Sequence, residues 1–247
     1  MSIACGESIT LDELQRLKTL SLLEEQAYQT GYRFIAGLDE VGRGPIAGPV
    51  VAGAVILPRG FTLTGVDDSK KLTAKKREIL AREIKRQALT WSVGYVYPPY
   101  LDQINILNAT RRAMTLAVNH LYIKPDYLLI DALKLDDIPI KQGSIIKGDS
   151  RSISIACASI IAKVERDEAM REMDSIFPGY NFSKHKGYAT REHLEKLFDI
   201  GPCAIHRQSF EPVKSILAGG KNEQQPGLFD QDDIECFDPG RAGAESK

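Results

Sequence analysis

The chain has 247 residues, 43% hydrophobic and 26% charged, with a formal net charge of −1, the composition of a soluble globular protein with room for one sizeable core. No charge-free apolar run reaches the roughly 18 residues of a membrane span, and the N-terminus lacks the basic-then-apolar pattern of an export signal. Cys5, Cys157, Cys203 and Cys236 form no C-x-x-C pair, so free thiols in a reducing cytoplasm are expected, with zinc or disulfides as distant alternatives.

Thr10-Leu11-Asp12-Glu13 has the form of a capping box. Leu11, Leu14, Leu17, Leu20 and Leu23 then mark one face of a single helix to about residue 29. Residues 1–30 are read as an appended helix ahead of the main fold. Strands are expected at 33–39 and 49–57, joined by a glycine-rich turn. A helix opened by Thr73 covers 73–89, and Trp91, Val93, Tyr95 and Tyr97 alternate as a strand does. A long helix fits 101–122, with Ile104, Leu107, Thr110, Met114, Ala117 and Leu121 facing inward. Strands follow at 126–131 and 143–147, then helices at 152–176, 190–199 and 211–217. Residues 219–247 are poor in apolar side chains and read as a disordered tail. Seven acids against two bases in 223–247 leave 30 basic and 26 acidic residues in 1–222. The body is mildly basic, which permits a polyanionic partner without demanding one. Strands that cluster early and then alternate with helices indicate a mixed α/β sheet in one domain over residues 31–218.

The chemistry concentrates in residues 36–48. Asp39 and Glu40 end a short apolar run, and Gly42-Arg43-Gly44 follows at once. Carboxylates at a strand end suit a hard divalent cation, Mg²⁺ or Mn²⁺ in preference to zinc. Backbone N–H groups freed by glycine suit a phosphate, and an arginine between them can fork onto its oxygens. Gly42, Gly44 and Ala47 also match a dinucleotide-binding turn. That turn needs a helix behind it, whereas Val50 to Leu57 is strand-like, and two acids would face the diphosphate; this reading is set aside. A tight hairpin with solvated acids stays open on the segment alone.

Asp131 repeats the pattern of Asp39, an acid delivered by an apolar strand to its C-terminal edge. Asp149 precedes a helix, either as its cap or as a further site acid. Asp167 reads as a surface ion-pair residue. Two carboxylates about 5 Å apart repel by roughly 3 kcal/mol at an effective dielectric of 20, so convergence of Asp39, Glu40, Asp131 and Asp149 would call for a cation. Consecutive strand residues face opposite ways; Asp39 and Glu40 share a site only if the strand loses regularity there. Lys70 and Lys71, Lys184-His185-Lys186-Gly187-Tyr188 and His206-Arg207-Gln208-Ser209-Phe210 are candidate nucleic-acid contacts, each weak alone.

Taken in order, these segments strongly resemble the bacterial ribonuclease HII family. The matching stretches are Gly37–Pro45, Asp68–Leu72, Leu129–Asp131, Lys147–Ser150, Ala158–Asp167, His185–Tyr188 and His206–Phe210. The resemblance implies an α/β ribonuclease H-like fold, a mixed five-stranded sheet flanked by helices with further C-terminal helices. It also implies metal-dependent cleavage of RNA in RNA–DNA hybrids and at single ribonucleotides in duplex DNA, by two cations, leaving 5′-phosphate and 3′-hydroxyl ends. Carried over, Asp39, Glu40, Asp131 and Asp149 look like the catalytic carboxylates that hold Mn²⁺ or Mg²⁺. Gly42, Arg43 and Gly44 look like the reader of the 2′-hydroxyl and adjacent phosphates. Tyr188 matches the tyrosine at the RNA–DNA junction, and Lys70, with Lys186, a phosphate contact. Gln225-Pro226-Gly227-Leu228-Phe229 resembles a sliding-clamp peptide, with Gln225, Leu228 and Phe229 as anchors; a chance match stays open. A monomer is expected. Without the resemblance, a non-catalytic nucleic-acid-binding protein with structural acids is the main alternative.

Overall fold

The computed structural model describes residues 10–219. The N-terminal segment, expected as one helix, is two: α1 (Leu11–Leu20) and α2 (Leu22–Gln29). Ser21 supplies the break; its hydroxyl and N–H both turn back onto the Leu17 carbonyl. Thr10 caps α1 by accepting from Glu13 N–H. Leu17 and Leu20 bury themselves among Val55, Leu57 and Ile84, so α1 packs into the core.

Five strands form one sheet in the order β3-β2-β1-β4-β5, with β1 at Ile35–Val41, β2 at Val50–Ile56, β3 at Thr90–Val96, β4 at Tyr127–Asp131 and β5 at Lys141–Ile145. The first three run antiparallel in series, while β4 and β5 lie parallel to β1. β5 sits two residues earlier than the expected 143–147, because Lys147 turns into the left-handed region and ends it.

Two long helices sandwich the sheet. α4 (Tyr100–His120) covers one face, where Ala109, Ala113, Met114 and Ala117 meet Leu38, Ala52 and Leu128. α5 (Ile153–Ile176) covers the other, with α3 (Ala74–Gln87) outside it. Gly37 and Gly53 let the α5 backbone lie directly on β1 and β2; a Cβ at either would overlap Ser154 or Ala158. Gly94 does the same beneath α4 at Ala113. The helix expected over 101–122 is interrupted at Asn105, φ 65°. The Asn105 side chain accepts from Leu107 and Asn108 N–H and so starts a new helical segment. That re-phasing leaves Leu107 exposed rather than inward.

The short α6 (Phe182–His185), then α7 (Arg191–Ile200) and α8 (Val213–Gly219), complete the chain. Thr190 caps α7, accepting from His193 N–H. Among the described residues Cys157 and Cys203 are free thiols, and no helix is long and apolar enough to cross a membrane.

Candidate active site

The parallel pairing of β1 with β4 decides where the acids go. Leu38 is opposite Ile130, so Asp39 and Asp131, one step further on, leave neighbouring strands on the same face, about 4.8 Å apart in backbone. The β1–β2 ladder continues through Asp39, Glu40 and Val41. The strand therefore keeps its regularity through both acids, and the loss of regularity expected for them to share a site does not occur. They leave β1 on opposite faces, and Glu40 still lies in the field of Asp131 because both stand at the end of the sheet. Asp39 points toward α5, and Glu40 shares the parity of Ala36 and Leu38 on the α4 face.

Asp39 is 6% exposed. It accepts from Glu40 N–H at 2.8 Å, and the Ser159 hydroxyl of α5, which meets the Ser69 hydroxyl at 2.9 Å, lies near enough to ease its ionisation. Burial pushes its carboxyl well above the usual range, and the charges of Glu40 and Asp131 push it further. Glu40 is raised by burial as well, against the relief from Arg43, whose guanidinium lies 3.2 Å away. Its Oε2 is buried with no hydrogen-bond partner. Asp131 accepts from Gly148 N–H at 2.7 Å, which ties β4 to the 3-10 turn Gly148–Ser150.

Asp149 lies in that turn, and it does not cap α5. Ser152 does, accepting from Ile155 N–H. The acid is left to the cleft, where burial and then the charges of Asp68 and Asp131 raise it, with Lys70 opposing. Three of the four acids, Asp39, Glu40 and Asp149, are thus raised by burial, and the charge of the fourth, Asp131, opposes the ionisation of each. Among the described residues no group of three or more His, Cys, Asp or Glu side chains is drawn close enough to hold a metal by itself. An unpartnered Glu40 oxygen and mutually repelling carboxylates are nevertheless a fitting donor set for a hard cation that takes one or two protein carboxylates and fills its shell with water and substrate phosphate.

Beside the acids stands the glycine loop. Gly42 has φ +95°, and a Cβ there would strike the Arg166 side chain. The Tyr188 ring, 45% exposed, approaches Gly44 to about a methyl contact, 4.0 Å from an added Cβ. Lys186 is folded back, its Nζ donating to the Ser183 carbonyl at 2.6 Å, while its own carbonyl is held by Arg166. Lys70 is exposed at the mouth, its N–H bonded to Asp68. Gln225, Leu228 and Phe229 lie outside the described residues.

Two sequence expectations need correction here. His206 and Arg207, offered as nucleic-acid contacts, are fully buried and act as internal supports. Asp167 pairs with Lys163 and with Arg77 across α3 and α5, but the three are largely covered rather than at the surface. Ser159 and Asp68 were not singled out as site residues. Asp68 stands in the Asp68–Leu72 match and Ser159 in the Ala158–Asp167 match; apart from that, Ser159 is one small polar residue on an apolar helix face.

The chain matches the ribonuclease HII family over residues 36–213. It belongs to the ribonuclease HII family. The ribonuclease HII of Syntrophomonas wolfei is 61% identical over 220 residues, 89% of this chain and 86% of that protein. Among solved structures, the ribonuclease H2 from Pyrococcus horikoshii OT3 superposes with a TM-score of 0.64 at 25% identity, covering 76% of this chain and 98% of its own. The ribonuclease HII in a PCNA complex from Archaeoglobus fulgidus gives 0.58 at 25% identity, over 80% and 100%. As a member of that family this chain is a hydrolase, an endonuclease of the ribonuclease H class built on the ribonuclease H-like fold.

Proposed function

We propose that this ribonuclease HII cleaves the RNA strand of RNA–DNA hybrids and nicks duplex DNA at single embedded ribonucleotides, leaving 5′-phosphate and 3′-hydroxyl ends. The observation that carries this reading is the meeting of an electrostatically strained acid edge with a glycine loop and an exposed tyrosine. Asp39, Glu40, Asp131 and Asp149 would hold Mg²⁺ or Mn²⁺. Such ions, when bound, supply a lowered water pKa and stabilisation of the charged phosphate.

The chain's own groups do the rest. Arg43 and the loop amides bind the strand, and a donor bonded to the 2′-hydroxyl tells a ribose from a deoxyribose. Tyr188 offers a face for stacking on the neighbouring nucleotide. Lys70 and Lys186 supply positive charge along the backbone. Glu40 N–H orients the Asp39 carboxylate, with the Ser159 hydroxyl beside it. Residues 31–218 form the catalytic unit in this reading, working as a monomer in the cytoplasm.

The test is a nicking assay on a duplex with one ribonucleotide, run with each cation, beside a long hybrid. Binding without metal-dependent nicking would instead favour a non-catalytic binder. The archaeal PCNA complex supports a second proposal, that Gln225, Leu228 and Phe229 dock on a sliding clamp. Deleting residues 220–247 is expected to abolish clamp pull-down and leave nicking intact.

A further inference from the structure

Two arginines, Arg166 on α5 and Arg207 just after the Ala47–His206 bridge, have no exposed surface. Neither has a carboxylate within ion-pair distance among the described residues; each is spent on backbone carbonyls instead. Arg207 donates to Gly42 O at 2.5 Å, Arg43 O at 2.9 Å and Gly48 O at 2.9 and 3.0 Å. Arg166 donates to Pro49 O, Lys186 O and Ala47 O at 3.0 to 3.3 Å. Burying a cation without a counter-ion is costly, and these two also repel one another. A methionine would avoid that cost only by leaving those carbonyls without a donor, so the arginines are there for the backbone they hold.

The reason lies in the peptide planes. In a trans peptide the C=O and N–H point opposite ways. Drawing the Gly42 and Arg43 carbonyls onto Arg207 turns the N–H groups of Arg43 and Gly44 away from the guanidinium. Neither N–H has a partner among the described residues, and Gly44 lies against the exposed Tyr188 ring. Arg166 locks the same geometry from the other side and joins it to Lys186, while Ile46 N–H on Gly187 O and Arg207 N–H on Ile46 O close the frame.

We propose that Arg207, supported by Arg166, is the positioning residue for ribonucleotide selection: it aims the Arg43 and Gly44 amides at the oxygens of the substrate strand and places a buried positive charge beneath them. This rests on the reading that the loop recognises the ribose-bearing strand. Arg207→Lys keeps the cation and loses the fork. It is expected to raise KM for a single-ribonucleotide duplex at least tenfold, with kcat within threefold. The preference for that duplex over the all-DNA one, measured by binding without metal, should fall at least tenfold.

Gly44→Pro, which deletes one of the amides, is the companion variant; thermal unfolding checks that both fold. Lost preference in Gly44→Pro with full preference in folded Arg207→Lys overturns the Arg207 role. Full preference in folded Gly44→Pro faults the loop reading itself. Should Arg207→Lys fail to fold, hydrogen exchange on the unaltered protein decides. The Arg43 and Gly44 amides should exchange freely and become protected when the single-ribonucleotide duplex binds; protection already present in the free protein, or none on binding, overturns the proposal.

Discussion

Glu24 and Asp39 are buried to nearly the same degree, 7% and 6% exposed, yet their surroundings are opposite. Glu24, on α2, lies over the first turn of α5, where its Oε1 accepts from the Ser152 hydroxyl, the Ser154 hydroxyl and Ser154 N–H. A helix N-terminus with its unpaired N–H groups favours an anion. Asp39 accepts from Glu40 N–H and has the Ser159 hydroxyl nearby, but it faces Glu40 and Asp131, whose charges oppose its ionisation. Burial alone does not mark an active acid. The marker is burial among like charges with too few donors, a debt that a bound cation can settle.

The widest separation between the two acids is expected from Asp39→Asn. Cleavage should fall by three orders of magnitude or more, about 4 kcal/mol in the barrier, while the metal-free protein melts at the same or a higher temperature because a repulsive charge is gone. A fall in melting temperature would erase the contrast with Glu24. Glu24→Ala, by comparison, strips three donors of their acceptor and should cost about 3 kcal/mol of stability, read from denaturant unfolding.

The C-terminal frame resembles the Glu24 side of the comparison in giving its buried histidines partners, although the Glu24 Oε2, like that of Glu40, is buried with none. Cys203 N–H donates to His206 Nδ1, which places the His206 proton on Nε2, 3.0 Å from His193 Nε2. The His193 Nδ1 proton then meets the Tyr188 carbonyl at 2.8 Å. Burial lowers His193 to about 4 and His206 to about 3. Both are therefore neutral when folded, whereas in the unfolded chain they take up protons below about pH 6.5. Their contribution to stability is full above that pH. It should decline as the pH falls toward 4, by up to about 1.4 kcal/mol per pH unit for each group. Denaturant unfolding at pH 7.5, 6 and 5 measures the slope, and His206→Gln should flatten it. The smallest effect expected is at the exposed rim. Tyr188→Ala should lower nicking about tenfold and Tyr188→Phe hardly at all, because the ring face and not the hydroxyl stacks.

What was legible in the sequence follows the same division. Asp39, Glu40 and Asp131 stand out because an apolar strand delivers each to an edge, and the register confirms the neighbourhood of Asp39 and Asp131. Asp149 precedes a helix and so reads equally well as its cap, a role the structure gives to Ser152. Arg166, Arg207 and His206 could not be read as interior, because charged or titratable residues carry no periodicity that distinguishes a buried fork from a solvated one. Asn105 broke a helix whose apolar spacing gave no warning, since a side chain that bonds its own backbone competes locally with the helical ladder. Glu24 looked like any acid on a solvated helix face; only the docking of α2 against α5 reveals it.

The side-chain-free contacts at Gly37, Gly53 and Gly94 set how far the core can be redesigned. With main chain resting on main chain, the spacing between sheet and helix is fixed by atoms that no rotamer can move, so the reach from Ser159 to Asp39 acts as a gauge cut into the scaffold. Enlarging any of the three would lift a whole helix instead of one side chain, and the catalytic edge would register the displacement first.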